Sequence, residues 1–459
     1  MNSALMAVNQ VVWGAPLVAA LLGVGLYFSF QLKFLQITRL KLAIGYIFDR
    51  DGRASGESIG DISSFASLCT ALSATLGTGN IVGIAMAVAA GGPGAIFWMW
   101  VTSFFSIAIK YAEGFLAIKY RRIDGNGQIS GGPMYYIEAT MKSKFLAKLF
   151  ALFGVWVACF GIGTLAQTNS IAAAARSFGV PIHCTALVVG ILVAVIVIGG
   201  IKRIATVSEK IVPFMSIFYM GAAVVVLLLN AQNIPNALRL ILASAFSSES
   251  VLGGGVGFAV MSAVQMGASR GIFSHESGLG SAAIAAAAAK TKSPVEQGLV
   301  SMMGAVFSLI ICTMTGMVLM VTCGETNIFN PQCAPEGTLL TSYAFGAGLG
   351  AAEPGAHIVN FGILFFAFTT IIGWNYYGEK CIQYLAGSRA VMPYKIFFVF
   401  LVAIGPFFNI DAIFTLADIV VGLMAVPNLM GVMLLRNVVI GETRLFFRQN
   451  LPKNAGDQV

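Results

Sequence analysis

Charge is scarce in this chain. Asp, Glu, Lys and Arg make up 10% of its 459 residues, against about 25% in soluble domains, and that shortage excludes a globular surface turned wholly to water. Histidine is scarcer still, at three residues. None stands at a metal-ligand spacing, and no nucleophile or acid/base set accompanies them, so the chain offers no catalytic constellation and does not read as an enzyme. The seven cysteines are scattered, and Cys69, Cys159, Cys312 and Cys381 fall in or beside apolar runs, where a thiol acts as a small hydrophobe. Only Cys323 and Cys333 share a loop, and they could bridge if it faces an oxidising compartment. The net charge of +8 gathers into no basic patch and so points to no nucleic acid. No filter-like repeat of carbonyl or charged rings suggests a channel.

What fills the chain instead is hydrocarbon. Hydrophobic residues reach 58%, the mean hydropathy is +0.85, and apolar runs of roughly 20 residues recur from end to end, each long enough to cross a bilayer core. The chain reads as an all-α polytopic membrane protein with membrane lipid as its solvent. Eleven spans are expected, at 10–31, 63–91, 94–119, 147–177, 181–200, 206–231, 246–273, 296–322, 354–383, 393–409 and 411–435. The first lacks the basic leader and small-residue cleavage pattern of a signal peptide and is kept as a true span. Nearly all of the 27 Lys and Arg residues, Arg270 counted among them, then fall after alternate spans, while Arg176 and Arg239 lie opposite. That asymmetry puts the C-terminus in the cytoplasm and the N-terminus outside.

Setting the first span aside leaves ten, and five is odd, so spans two to six run opposite in sense to spans seven to eleven. The expected organisation is an extra N-terminal span and loop (1–62), a first five-helix unit (63–231), a second, inverted one (232–435) and a cytoplasmic tail (436–459). Paired Gly-interrupted segments at corresponding places mark the central site of such a transporter. The leading span of the first unit carries Gly77-Thr78-Gly79-Asn80; that of the second carries Gly253-Gly254-Gly255-Val256-Gly257. Glycines that only permit close helix packing are the plain alternative.

Asn80 opens a half-helix, where unpaired N–H groups favour an anion such as a substrate carboxylate, or it only caps that helix. Before the break, the freed carbonyls of Ser73 and Leu76 suit a hard cation such as Na⁺. Thr369 and Thr370 are neighbouring mid-span hydroxyls that either complete an ion shell or bond their own preceding turn. Trp374 shares a face with Thr370, and its bulk limits a cavity if it points inward. Gln167, beyond the glycines of Gly161-Ile162-Gly163, must be satisfied by a neighbouring helix or a polar ligand. Lys110 and Glu113 read as a self-neutralising structural pair. His275-Glu276, after Arg270 at the cytoplasmic end of the seventh span, reads as a gate or a plain solvent contact rather than a catalytic pair. Asp418 is an intramembrane acid that is either a proton site or an outer-interface residue.

The run GTGNIVGIAMAVAAGGPGAIFWMW (Gly77 to Trp100), with ISGGPMYYIE (Ile129 to Glu138), GASRGIFSHESGLGSA (Gly267 to Ala282) and GWNYYGEKC (Gly373 to Cys381), resembles the alanine or glycine:cation symporter family over nearly the whole chain. The resemblance implies Na⁺-coupled uptake of small neutral amino acids, alanine or glycine, across the cell membrane. It also implies a leucine-transporter-like fold of five plus five inverted helices behind one extra span. Carried onto this chain, it suggests Gly77, Thr78, Gly79, Asn80, Gln167, Thr370 and Trp374 around the substrate. Ser73, Leu76, Thr369 and Thr370 would hold Na⁺. Within the transporter class the rival is H⁺ coupling through Asp418.

Overall fold

The computed structural model describes residues 2–48, 59–123, 127–141, 144–246, 256–323, 338–408 and 411–450. Helices α1 (Asn2–Val12) and α2 (Ala15–Gln31) meet at Trp13-Gly14, where Pro16 starts the second helix without needing a donor. Two short helices, α3 (Leu35–Thr38) and α4 (Leu40–Phe48), lead to α5 (Ser64–Thr75). Ser63 caps α5 by accepting the Ala66 N–H at 3.0 Å. A π-turn over Gly79–Gly83 then feeds α6 (Ile84–Gly91), and the two arms of this pair are bent by 56°.

The 26-residue α7 (Gly94–Lys119) is followed by a two-stranded hairpin, β1 (Arg122–Ile123) and β2 (Ile129–Ser130), and by α8 (Pro133–Met141). Helices α9 (Lys144–Phe160) and α10 (Leu165–Ser177) divide the span expected at 147–177, because the Gly161–Thr164 turn interrupts it. Then come α11 (Ile182–Ile198), α12 (Gly200–Leu229) and α13 (Ile234–Phe246). Helix α14 (Val256–His275) is separated by five residues from the short α15 (Ser281–Ala287), after which α16 (Pro294–Cys323) and α17 (Thr338–Leu349) follow. The chain closes with α18 (Ala352–Ala386), α19 (Val391–Ile404), α20 (Asp411–Leu434) and α21 (Arg436–Asn450).

Among the described residues, eight helical stretches are long and apolar enough to cross a membrane, and the bent pair makes a ninth. The remaining two of the eleven expected spans correspond to α11, only 17 residues long, and to α14, which carries more polar residues. Cys333, the proposed partner of Cys323, lies outside the described residues.

Helices pack at close quarters where the sequence supplies small residues. A Cβ at Gly114 would stand 2.3 Å from Ser301 Oγ, and one at Gly267 would stand 2.3 Å from the Ala95 carbonyl. These two contacts press α7 against both α16 and α14, the arrangement that small residues permit when the surrounding solvent is as apolar as the side chains. Helix α7 is buried along most of its length. It therefore forms a fixed wall behind both interrupted helices, and α18 packs against α5, α9 and α10 on the other side.

Candidate functional site: two interrupted helices

The first interruption is built from the side chain of Asn80. After Thr75 the backbone turns extended at Leu76 (φ −81°, ψ 92°). The Gly77 N–H, which a continuous helix would give to the Ser73 carbonyl, goes instead to Asn80 Oδ1 at 3.1 Å. The Asn80 amide donates onward to Ser308 Oγ (2.8 Å) and Cys312 Sγ (3.2 Å) of α16. Asn80 is fully buried, so both ends of its side chain are committed to protein partners.

A π-turn frees further carbonyls, and an unpaired backbone group in a lipid-depth interior costs several kcal/mol. Here hydroxyls from three helices take them up. Ser274 of α14 donates to Gly79 O (3.3 Å), Thr315 of α16 to Asn80 O (3.0 Å) and Thr341 of α17 to Ile81 O (3.1 Å). None of these partners is conspicuous in the sequence, since isolated Ser and Thr in apolar runs most often bond their own preceding turn.

Several of the residues singled out from sequence gather around Gly77. A Cβ there would stand 2.7 Å from Thr370 Oγ1 and 3.5 Å from Gln167 Nε2. Thr370 Oγ1 lies 3.3 Å from the Leu76 carbonyl and 2.9 Å from Phe366 O. Gln167 is buried, with its Oε1 unpartnered. Trp374 is fully buried, so it is no interfacial anchor. Its ring meets Tyr377 edge-on at 5.4 Å, and a Cβ at Gly163 would stand 2.7 Å from its Cβ.

Thr78 is buried in helical backbone, and a Cβ at Gly79 would meet the Phe273 ring at 3.0 Å. Ser73 Oγ donates to its own turn at Thr70 O (2.8 Å), which leaves its carbonyl as the group turned to the break. Thr369 behaves differently from its neighbour: its hydroxyl bonds Phe366 O (3.0 Å) and lies 3.6 Å from Met215 Sδ of α12. The Leu76 carbonyl and the Thr370 hydroxyl meet at 3.3 Å, oxygens of the kind a hard monovalent cation takes. Among the described residues no group of His, Cys, Asp and Glu is arranged for a transition metal.

Of the glycine run singled out in the second unit, Gly253, Gly254 and Gly255 lie outside the described residues, while Val256 and Gly257 are helical in α14. Among the described residues a break falls between α14 and α15. There Glu276 (φ 53°), Gly278 (φ 90°) and Gly280 (φ 79°) take left-handed backbone, a conformation that ends a helix and that a non-glycine residue holds only when its surroundings impose it.

The surroundings are charged. Glu113 Oε1 accepts the N–H groups of Gly278 and Gly280, each at 3.0 Å, and the Asn428 amide at 2.6 Å. Lys110 Nζ donates to His275 O at 2.9 Å, at the carbonyl end of α14 where a positive charge is favoured. Asn428 of α20 also donates to Gly278 O (2.8 Å) and accepts the Tyr136 hydroxyl. Ser281 donates to Glu276 Oε2 at 2.6 Å, with Thr75 and Trp374 facing the same carboxylate. Lys110 and Glu113 thus serve the second break as well as standing as each other's counter-charge, and His275-Glu276 is buried at 1% exposure each instead of meeting solvent. The visible signal was the alternation of Glu276, Gly278 and Gly280 between two apolar runs, which becomes left-handed backbone.

The faces on either side of the breaks are closed. On one face Arg270 Nη2 meets Asp418 Oδ2 at 3.2 Å, so Arg270 belongs to a helix wall and not to a loop, and Asp418 is an ion-pair partner. On the opposite face the lead-in strand of α5 is joined to the residues after α15: Asp61 N donates to Ala288 O (2.8 Å) and Lys290 N to Ile62 O (2.7 Å). The Arg121 guanidinium spans the joint, donating to Ile59 O (2.9 Å), Ala287 O (3.1 Å) and Ala289 O (2.8 Å).

Comparison with known proteins agrees in kind. The family model described as the sodium:alanine symporter family matches residues 1–458. An uncharacterized transporter of Haemophilus influenzae is 54% identical over all of this chain and 98% of its own length. The sodium/alanine symporter AgcS of Methanococcus maripaludis is 45% identical over 98% of each chain. The probable sodium/glutamine symporter GlnT of Bacillus subtilis is 36% identical over 98% of this chain and 90% of its own. The crystal structure of MhsT in complex with L-phenylalanine superimposes with a TM-score of 0.53 at 13% identity, covering 85% of this chain and 99% of that one, which shows a shared fold.

Proposed function

The chain belongs to the sodium:alanine symporter family, and from that premise we propose that it couples the inward movement of Na⁺ to that of a small neutral amino acid, alanine or glycine. As a member of a transporter family with several apolar helices long enough to span, it is a multi-pass membrane transporter and not an enzyme. The finer assignments are our reading. Residues 63–231 and 232–435 form two inverted five-helix units behind the segment 1–62, with 436–459 as the tail. The N-terminus faces outward and the C-terminus lies in the cytoplasm of a cell-membrane protein.

The observation that carries the proposal is the diverted Gly77 N–H. It releases the Ser73 carbonyl beside the Leu76 carbonyl and the Thr370 hydroxyl, and those oxygens would hold Na⁺, with Thr369 on the far side. Thr370 can give its single hydrogen to Phe366 O and turn a lone pair to the ion. The substrate would sit against Gly77, Thr78 and Gly79, with Asn80 fixing their geometry from behind and Gln167, Thr370 and Trp374 bounding a small pocket. Ion and solute then share one unwound segment, so each raises the affinity of the other by the same factor.

Reconstituted vesicles test this directly. An inward Na⁺ gradient at equal pH on both sides should accumulate alanine, and uptake that follows a pH gradient alone would reject Na⁺ coupling. The pairing of Asp418 with Arg270 already gives that acid a role other than carrying protons.

A further inference from the structure

Helix α11 leans on α19, where a Cβ at Gly190 would lie 3.5 Å from that of Ala403. Between α11 and α18 it leaves a groove of about 580 Å³. One wall is α11 itself, where Val180, Cys184, Val188, Leu192 and Ile196 recur every four residues and so share a face. Phe361, Phe365 and Phe368 of α18 form the other, and Val207 and Ile211 of α12 also line it. From Val180 to Ile196 the helix rises about 24 Å, most of a hydrocarbon core of roughly 30 Å. That is the shape of one extended chain.

The lining is almost wholly hydrocarbon. Beside the weakly polar thiol of Cys184 it has the hydroxyl of Thr185, which already donates to Pro181 O at 3.2 Å. A polar guest finds nothing there to bond.

One end, by contrast, is basic. Lys202, Arg203 and Lys210 of α12 are exposed near it, where the other end has Arg176. Among the described residues none of the three stands in an ion pair, and Glu209 is turned away to accept the Ser63 hydroxyl at 3.3 Å. Arg203 is fixed at the mouth. Its Nη1 donates to Val195 O at 2.7 Å, next to Ile196, and Val207 lies one turn further along α12. The side chain folds over Gly199, where a Cβ would stand 2.6 Å from its Cδ, so glycine is what admits this pose. A guanidinium has five N–H donors, and one is engaged on Val195.

We propose that this groove holds one acyl chain of an anionic phospholipid, with the phosphate on Arg203 and Lys202. Apolar walls favour the chain by removing its surface and their own from competing contacts, and basic side chains at the edge of the hydrocarbon select a negative headgroup. On the orientation proposed above, the lipid comes from the cytoplasmic leaflet. The bound chain braces α12 against α18 behind the proposed ion shell: Met215, one turn past Ile211, lies 3.6 Å from the hydroxyl of Thr369, and Thr369 follows Phe368.

The test uses full-length protein, delipidated in detergent, to which phosphatidylglycerol or phosphatidylcholine of the same chains is added, with bound lipid counted by native mass spectrometry. Phosphatidylglycerol should bind about tenfold more tightly. Arg203→Gln should weaken it about fivefold, corresponding to about 1 kcal/mol, and leave phosphatidylcholine unchanged. Leu192→Trp fills the groove from a position 48% exposed and should weaken both lipids about tenfold. Equal affinity for the two lipids, or an unchanged Arg203→Gln, would overturn the anionic site and leave ordinary annular contact. Wild-type binding in Leu192→Trp would overturn the groove as the seat of the chain.

Should Leu192→Trp fail to fold, the wild type itself decides. Lysophosphatidylglycerol, with one chain, should compete within a few-fold of the two-chain lipid, and glycerophosphoglycerol, the headgroup without chains, should not displace it even in large excess. Displacement by the bare headgroup, or no competition from the one-chain lipid, overturns the proposal. The measurement needs neither Na⁺ nor amino acid, so its failure and that of the transport reading are separate outcomes.

Discussion

The two interruptions solve the same problem with different chemistry. At the first, neutral groups satisfy the unwound backbone: one amide and a set of hydroxyls from α14, α16, α17 and α18. At the second, the backbone is held by full charges, Glu113 on two N–H groups and Lys110 on a carbonyl, both reaching from α7. Hydrogen bonds to ionised groups are roughly twice as strong as neutral ones. The second break is therefore the more firmly held, and on the proposed reading the first is the one whose oxygens would exchange a hydroxyl hydrogen for an ion or a solute without leaving a charge exposed.

If that contrast is right, the largest loss comes from the second break. Glu113→Ala leaves two glycine N–H groups and the Asn428 amide without their acceptor, and Lys110 without its nearby counter-charge. Breaking a buried charged network costs about 3–5 kcal/mol, so thermal unfolding of the purified protein should fall by several degrees and little folded protein should reach the membrane. Stability equal to wild type would end the description of this break as a charged anchor.

The next effect is expected at Asn80. Asn80→Leu keeps the number of side-chain heavy atoms but removes the acceptor of the Gly77 N–H. The loss should be about 1–3 kcal/mol, and the Na⁺ concentration for half-maximal alanine uptake should rise more than tenfold. An unchanged Na⁺ dependence would show that the Ser73 carbonyl is not released by this bond.

A smaller difference separates two neighbours. Thr370→Val should weaken Na⁺ about tenfold, or about 1.4 kcal/mol, with stability altered by less. Thr369→Val should change Na⁺ affinity by less than threefold, because its hydroxyl already serves Phe366 and faces Met215. Equal effects from both would restore Thr369 to the ion shell on the same footing. The least effect on rate is expected at the pocket wall: Trp374→Phe should keep alanine uptake within a few-fold while admitting larger neutral amino acids in a competition panel. An unaltered substrate range would remove Trp374 from the pocket.

Much of the architecture was legible because its signals are one-dimensional. Apolar runs gave the approximate extents of α7, α12, α16 and α18, and the motif Gly77-Thr78-Gly79-Asn80 marked the first break within a residue or two. What could not be read is what depends on partners far apart in sequence. Glu113 lies 165 residues from Gly278 and 315 from Asn428, so nothing in its own helix announces that it supports a break elsewhere; the nearer reading, a pair with Lys110 three residues away, is the local part of a wider network. Glycine count is a local property, whereas a sustained interruption needs donors and acceptors delivered from other helices, as those that converge on Glu276–Gly280 are. Arg270 was assigned to a loop because positive charge most often marks one; its pairing with Asp418 is a tertiary fact.

The Arg121 guanidinium carries a consequence for leakage. A single planar group at the end of α7 holds carbonyls from the segment before α5 and from the end of α15 and the residues after it, which ties the movement of each to that of the others. On the proposed reading as a Na⁺ symporter, parting on that side would be concerted, and a half-open form through which sodium slips alone would be disfavoured. Tight stoichiometry would then owe as much to this one fastening far from the solute as to the oxygens that touch the ion.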